Sequence, residues 1–568
     1  MVRVALWSIV AGTFVACGED GERMRMVDPP QDLGSDGGTT DAGADAALDA
    51  GPDAEPEDAG PDLPLDLGPD LTDLGPDLPP DLGPPPAPTI CADRVAAAPL
   101  PAPATPDRVV GEGTAGSCTE SALRSAVALG GRVAFDCGEP ATVITLTEAL
   151  ALDLASPDLV LDGGGTVTLD AALGSRVLEL RGDDPARPDV ALVGLTFRNG
   201  RAPDAGSELE RSGGAVLHAG GRLVVQDCIF DGNEAGITGT DAAGGALSNQ
   251  GDLPTFVVRS TFRNNRASSG GAIGMLIAPV VILESTFEGN EATGVIGAGG
   301  SGGAIYGDGP NRAWTLCGVE ARDNEAGAFG GALFRVAQRP GGTTVIERSL
   351  FEDNLAAPDV ASIGGGLYLE GMAVTIEESA LRGNRASGGS GLWIGGANAS
   401  LSMTNVMIVE NTTSDSLGAG MAVLGAVPGT LRHVTFAANE TEGDGSFAAA
   451  IFGGGALRLE GCLFADQVVG NGFNPISCLP SQVDGGGNVQ WPVERAGGGS
   501  DDPDALCAAG ATVVDPDLGP LTRRSGPTGT YPVREPRAAR AVLVSGTCPP
   551  TDLLGNPRGA TCTAGAVE

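Results

Sequence analysis

The groups best suited to proton transfer near neutral pH are scarce in this 568-residue sequence, which holds two histidines and no lysine. His218 in "AVLHAG" and His433 in "LRHVTF" fall in different segments, so a shared acid–base pair is not expected and each reads as a strand or turn residue. Asp183-Asp184 in "RGDDPARPD" supplies adjacent carboxylates with no imidazole beside them. Neither a serine nucleophile elbow nor a phosphate loop occurs, and CxxC metal pairs are absent. The many Gly pairs are not followed by a helix, so they are not dinucleotide loops. What returns along the chain is a different motif, "FRNNRASSGGAI" from Phe262 to Ile273.

Its Asn recurs at Asn233, Asn265, Asn290, Asn324, Asn354, Asn384, Asn411 and Asn439, at spacings of 32, 25, 34, 30, 30, 27 and 28 residues. Three residues before each stands Phe230, Phe262, Phe287, Ala321, Phe351, Leu381, Ile408 or Phe436. A Gly-rich signal follows most of them, as "GGAI" at Gly270 and Gly302 and "GGAL" at Gly244 and Gly330. The intervening runs, such as "TFVVRSTF", "VVILESTF" and "TTVIERSLF", alternate apolar with polar residues and read as half-buried strands. A repeat near thirty residues with two or three short strands and Gly corners is the length of one coil of a parallel β-helix. Coils stack at about 4.8 Å, so equivalent residues form columns. On that reading Phe is an internal rung, the Asn column is a structural ladder that satisfies turn backbone, and the Gly pairs allow close approach. Small residues two before the Phe positions, among them Cys228, Ser260, Ser285, Ser349 and Cys462, should face the same interior. The motif then leaves free Arg266 and its counterparts Glu234, Glu291, Glu325, Arg385 and Glu440 as candidate binding positions.

The formal charge of −40 excludes nucleic acid and anionic lipid headgroups as partners for want of clustered cations. "MVRVALWSIVAGTFVACGED" carries Arg3, a short apolar run and small residues before Cys17, and reads as an export signal over 1–16, too short to span a bilayer. Phe14-Val15-Ala16-Cys17 resembles a bacterial lipobox, which makes Cys17 the lipidation candidate and the membrane a partner through that lipid; ordinary cleavage is the alternative. Over 17–90, units such as "DLGPD" and "DLPPDLGPPP" cannot bury a core, so a disordered acidic Pro/Gly/Asp/Leu-rich linker is expected. No cofactor is implied. Calcium is conceivable for the Asp clusters, although regular oxygen-ligand spacing is missing, and no other metal site is expected.

Phe-x-x-Asn coupled to Gly-Gly-Ala-Ile resembles the repeat of chlamydial polymorphic outer-membrane proteins and other bacterial right-handed β-helix surface proteins, over roughly 190 to 465. The C-terminus, "DPDLGPLTRRSGPTGTYPV" and "GTCPPTDLLGNPRGATCTAGAVE", is similar to the bacterial choice-of-anchor Q domain, although "REPRAARAVLVSG" departs from its pattern. These resemblances imply an all-β, pectin-lyase-like right-handed parallel β-helix at the outer membrane or cell surface. The division is a lead-in over 91–117, the β-helix with a short N-terminal capping helix over 118–470, and a choice-of-anchor Q-like region over 471–568 that completes it. Proximity and the family pattern pair Cys118 with Cys137, Cys478 with Cys507 and Cys548 with Cys562; Cys228, Cys317 and Cys462 read as buried thiols and Cys91 has no obvious partner.

Right-handed β-helices also include polygalacturonases and pectate lyases, but their Gly-His-Gly and Arg-Ile-Lys motifs are absent. "REPR" at Arg534 has Ala539 where the pectate lyase pattern needs a second Arg, so no catalytic residue is assigned. The expected protein is a monomeric, non-enzymatic lipoprotein rod of roughly ten coils that binds glycans or other surface proteins. A polysaccharide lyase or hydrolase, and a calcium-stiffened spacer, are the alternatives.

Overall fold

The computed structural model describes residues 91–567 apart from 153–155, 181–187, 358–360, 502–504, 527–528, 534–542 and 547. The signal, Cys17, the acidic segment, Asp183-Asp184 and Arg534 lie outside the described residues.

The described chain is a parallel β-solenoid of about 13 turns. Each coil contributes to three faces, which among the described residues form parallel sheets of 26, 12 and 8 strands. One coil shows the path. Thr255–Val258 and Thr261–Arg263 lie on the first face, Arg266–Ala267 on the narrow third face and Ile273–Met275 on the second. The next coil repeats this in register, with Phe262 opposite Phe287, Ala267 opposite Ala292 and Ile273 opposite Ile305. The roughly ten coils expected from the motif are too few. Strands at Arg108–Val110, Gly131–Phe135 and Leu159–Asp170 stack before the first motif, and Val489–Trp491 and Thr512–Val513 continue after the last.

Alternation within each strand fills the interior. On the first face Val257, Ile282, Leu316 and Ile346 follow one another in register and belong to one core that runs through the solenoid. Phe197, Phe230, Phe262 and Phe287 stack face to face inside at 4.6 to 5.0 Å between ring centroids, and Phe436 stacks on Phe464. Full burial of each ring contributes on the order of 2–3 kcal/mol, with up to ~1 kcal/mol more per stacked pair. Inside the same core Arg335 is 2% exposed, its guanidinium 4.4 Å from the Trp314 ring, and burial pulls its pKa down to about 9.

The Gly corner has two separate reasons. Gly270 has φ +56°, left-handed space that a side chain disfavours, and Gly271 lies where a Cβ would sit 2.3 Å from the Gly303 carbonyl oxygen of the next coil.

Among the described residues two α-helices lie outside the coils. α1 (Ala92–Ala97) lies in the lead-in. α2 (Glu120–Ala128) turns Leu123, Ala126 and Val127 onto the end of the core, and its N-cap Thr119 hydroxyl accepts from the Ala122 N–H. It covers an end whose strand edge would otherwise be open.

Candidate functional site

The eight ladder asparagines are brought together as one continuous hydrogen-bonded column, and all are at most 1% exposed. At Asn324, Oδ1 accepts from the Asn290 backbone N–H at 3.0 Å and from Asn290 Nδ2 at 2.9 Å; Nδ2 donates to the Phe287 carbonyl at 3.0 Å and to Asn354 Oδ1 at 2.9 Å. The pattern repeats from Asn233, whose Oδ1 accepts from the Gly200 N–H, to Asn439, whose N–H and Nδ2 donate to Gln467 Oε1. Gln467 closes the ladder where no further Asn follows. The left-handed position is the residue before each Asn, for example Asn264 at φ 55° and Asp323 at φ 55°, rather than the ladder Asn itself.

The small-residue column is a second ladder. Ser260 Oγ accepts from the Cys228 N–H at 3.1 Å and donates to the Val258 carbonyl at 3.0 Å, and Ser285, Ser349 and Ser379 do the same in their coils. Size was only part of its requirement. Cys228 and Cys462 occupy this column as buried free thiols, which burial pushes up to about 12, so neither is a nucleophile in the folded protein.

Cys118 bonds Cys137, Cys478 bonds Cys507 and Cys548 bonds Cys562. Cys317 departs from the expectation of a buried thiol. It is joined to Cys91, 226 residues away, because the lead-in doubles back along the rod and places Cys91 against the coil of Cys317.

The histidines stay apart. His218 lies inside the solenoid, its Nδ1 3.2 Å from Asn249 Oδ1. His433 is buried under the C-terminal segment, with Nδ1 2.5 Å from Arg558 Nη1 and Nε2 3.6 Å from Cys562 Sγ. Burial, helped by the Arg558 charge, pulls the His433 pKa down to about 4. Among the described residues the one group of three or more His, Cys and carboxylate side chains close enough to share an ion is His433, Cys548 and Cys562, and there the two sulfurs are bonded to each other.

The outward surface carries what the motif does not. Arg266, Glu291, Glu325, Arg385 and Glu440 stand on the third face, where Arg266 pairs with Glu291 at 3.1 Å and Arg385 with Glu442 at 3.3 Å. On the second face the residue after each Gly-Gly-Ala-hydrophobe signal points outward. In four consecutive coils it is Tyr306, Phe334, Tyr368 and Trp393, stacked at 4.3 to 5.4 Å; Tyr306, Tyr368 and Trp393 are nonetheless buried, and Phe329 and Ile363 pack against the column. The sequence carried this signal in "GGAIY", "GGALF", "GGGLY" and "GSGLW", and reading each motif only to its fourth residue misses it.

Carboxylates edge this aromatic column. Tyr306 Oη donates to Asp241 at 3.1 Å and Tyr368 Oη to Glu370 at 2.7 Å. Asp308, Val336 and Glu370 form the neighbouring column, which sets the two acids two coils apart, about 10 Å between Cα atoms. Burial pushes the Asp308 carboxyl up to about 6; the Gln338 amide at 2.9 Å opposes this, and Asp241 and Glu370 add repulsion. Burial also raises Asp241, against its bond from Tyr306. Asp308 is therefore able to hold or release a proton near pH 6. Two concavities lie away from this column. One of about 500 Å³ is lined by Arg176, Glu179, Arg201 and Asp204, the other of about 650 Å³ by Asn398, Leu424 and Pro428.

Residues 284–308 match the Chlamydia polymorphic membrane protein (Chlamydia_PMP) repeat. No curated protein and no solved structure matches the chain. The matched segment is one coil, from Glu284 at the turn after the strand Val280–Leu283 to Asp308 on the second face, and it contains Phe287, Asn290 and Gly302-Gly303. The chain is a parallel β-solenoid, one coil of which is similar to that repeat.

Proposed function

We propose that this protein is a non-catalytic surface lipoprotein whose solenoid is held off a membrane and presents its flank to glycans or other surface proteins. One observation carries the reading: the Phe, Asn and Gly-Gly positions of the recurrent motif are taken up by stacking, hydrogen bonding and close packing of the coils, so the repetition builds a rod and leaves the variable outward positions for recognition. The likeness of one coil to a membrane-protein repeat supports a surface location, and the disulfides fit an oxidising compartment. The Cys17 lipobox, the acidic segment and the choice-of-anchor Q-like C-terminus supply anchor, spacer and a family associated with the envelope. Intact-mass measurement of the membrane fraction tests the lipid, with a diacylated or triacylated Cys17 terminus expected. A glycan array and whole-cell binding with the purified solenoid test recognition. Absence of binding to every glycan and to cells, at concentrations up to about 100 µM, would sink the adhesive reading.

A second reading, a polysaccharide lyase or hydrolase, is favoured specifically by Asp308 and Glu370. A carboxyl pushed up to about 6, with a second acidic side chain in the same column, is a starting arrangement for an acid–base pair. Release of reducing or unsaturated sugar ends from a polysaccharide panel, abolished by Asp308→Asn, would establish it.

A further inference from the structure

On the first face, the outward residues next to the core column are mostly polar: Gln226, Glu347 and Glu377 stand in register along it. Between them come Val258, Leu283 and Cys317, outward in direction and completely buried. The lead-in covers them. Val95, Ala98 and Leu100 pack on this patch, the Cys91 N–H donates to Glu284 Oε1 at 2.8 Å, and Arg94 grips Glu347 through Nε at 2.7 Å and through Nη2. The chain then returns to the start of the solenoid. Arg132 Nη1 donates to the Ala102 carbonyl at 2.9 Å, and the Asp107 N–H to the Arg132 carbonyl at 2.9 Å. From the strand Arg108–Val110 to the strand Ala313–Cys317 is seven coil spacings, or about 34 Å along the axis. Residues 91–107 therefore run axially over the first eight coils, and the disulfide fixes their outer end near the middle of the rod.

We propose that this segment is a mechanical staple: force on the chain ahead of Cys91 enters the solenoid at Cys317 through the disulfide and bypasses residues 92–316. The covalent bond shares the load path with the chain beyond Cys317, while the capping helix and the first coils sit in a closed loop that carries no end-to-end tension. Without the bond, the same pull would peel the lead-in away and reach the α2 cap, where one short helix and a strand edge hold the stack. The proposed tether matters here only for the direction from which force arrives; the load path is a property of residues 91–317.

Among the described residues two free thiols report on the two halves, since Cys228 lies in the bypassed loop and Cys462 in the loaded part, both buried. The full oxidised chain, held by peptide tags at its two ends, is stretched at the lowest force at which Cys462 reacts with a maleimide dye. Cys228 is expected to stay unlabelled at that force. In the C91S/C317S double variant both thiols should label, and the unfolded length should grow by about 70 nm. That figure is the 226-residue loop, less the 19 residues held by Cys118–Cys137, at ~3.5 Å per residue. Equal labelling of Cys228 and Cys462 in the oxidised wild-type chain overturns the proposal and needs no variant to fold. A double variant that folds and gains no length overturns it as well. Neither result bears on whether the rod binds glycans, and loss of glycan binding would leave the load path untouched.

Discussion

Asn324→Ala removes the middle rung of the asparagine ladder. The loss takes four hydrogen bonds with it, two accepted from Asn290 and two donated to Phe287 and Asn354. Asn290 Nδ2 keeps its bond to the Phe262 carbonyl, and Asn354 Oδ1 keeps the Asn324 backbone N–H at 3.1 Å, so those two groups are only partly deprived. The Asn290 backbone N–H loses its ladder acceptor in a place that is 1% exposed, at a cost of about 1–3 kcal/mol. The weakened partners add roughly 1 kcal/mol each, for a total of about 3–5 kcal/mol. Urea unfolding followed by far-UV circular dichroism, with hydrogen exchange at the Asn290 amide, measures it. Arg266→Ala, at a solvent-facing third-face position, should change stability by less than about 0.5 kcal/mol. Asn324→Asp should be worse than alanine at pH 7, because a carboxylate oxygen would replace Nδ2 and face the Phe287 carbonyl and Asn354 Oδ1, and it should recover toward acid pH as the carboxyl is protonated. Neighbouring rungs share bonds, so Asn324→Ala with Asn354→Ala should cost less than the sum of the two. A loss below 1 kcal/mol for Asn324→Ala, or full additivity of the pair, would refute a cooperative ladder.

Three further expectations follow from the outward columns and the core. Asp308 has its folded pKa raised from 3.8 to about 6, so its contribution to stability is fully present below pH 3.8 and is lost as pH rises through 6; at most about 3 kcal/mol should disappear between pH 4 and 7.5, and Asp308→Asn should flatten that slope in pH-dependent unfolding. The column after the Phe positions reads Asp170, Arg198, Asp231, Arg263, Glu288, Arg322, Glu352 and Arg382, alternating in sign through eight coils. Arg322→Glu would set three carboxylates side by side and should lower stability by about 1–2 kcal/mol at low salt, with much of the loss recovered in 1 M NaCl. Arg335→Met removes a buried cation, and although Trp314 loses its guanidinium contact, urea unfolding should show the variant at least as stable as wild type and up to about 3 kcal/mol more so.

The solenoid was legible because its determinants are local and periodic: Phe262, Asn265 and Gly270-Gly271 recur at coil length, and each does within its coil what its chemistry predicts. The three disulfides between cysteines near in sequence were equally legible. Cys91–Cys317 was not, since nothing in either neighbourhood says that the lead-in runs backward over eight coils; the one trace is that Val258, Leu283 and Cys317 are apolar at outward positions. The serine column was legible as small but not as hydrogen-bonding, because Cys and Val share it. Asp308 shows no signal in sequence, as its raised pKa comes from burial and from the carboxylates of Asp241 and Glu370, which lie in other coils.

Outward positions also decide where the solenoid stops being solvated. The alternating charge column ends at Arg382, and the next three residues in register are Val409, Ala437 and Ala465. The C-terminal segment docks there: Leu553, Ala566 and Val567 pack on Met407, Val409 and Ala437, Asn405 Nδ2 donates to the Thr551 carbonyl at 2.7 Å, and the Ala566 N–H donates to Thr435 Oγ1. The lead-in docks on a comparable apolar interruption, Val258 and Leu283, in a polar column that includes Gln226, Glu347 and Glu377. A charged column one coil spacing apart fixes register, because slipping by one coil would put like charges opposite each other, and an apolar interruption of that column marks a docking patch. Both flanking segments thus obey a code written on the outside of the coils, independent of the Phe and Asn code within. Val409→Arg tests this by extending the charge column into the patch. It should leave the solenoid folded while freeing residues 548–567, seen as protease cleavage near Leu553 and faster reduction of Cys548–Cys562. If that segment stays protected as in wild type, the apolar interruption is not what holds it.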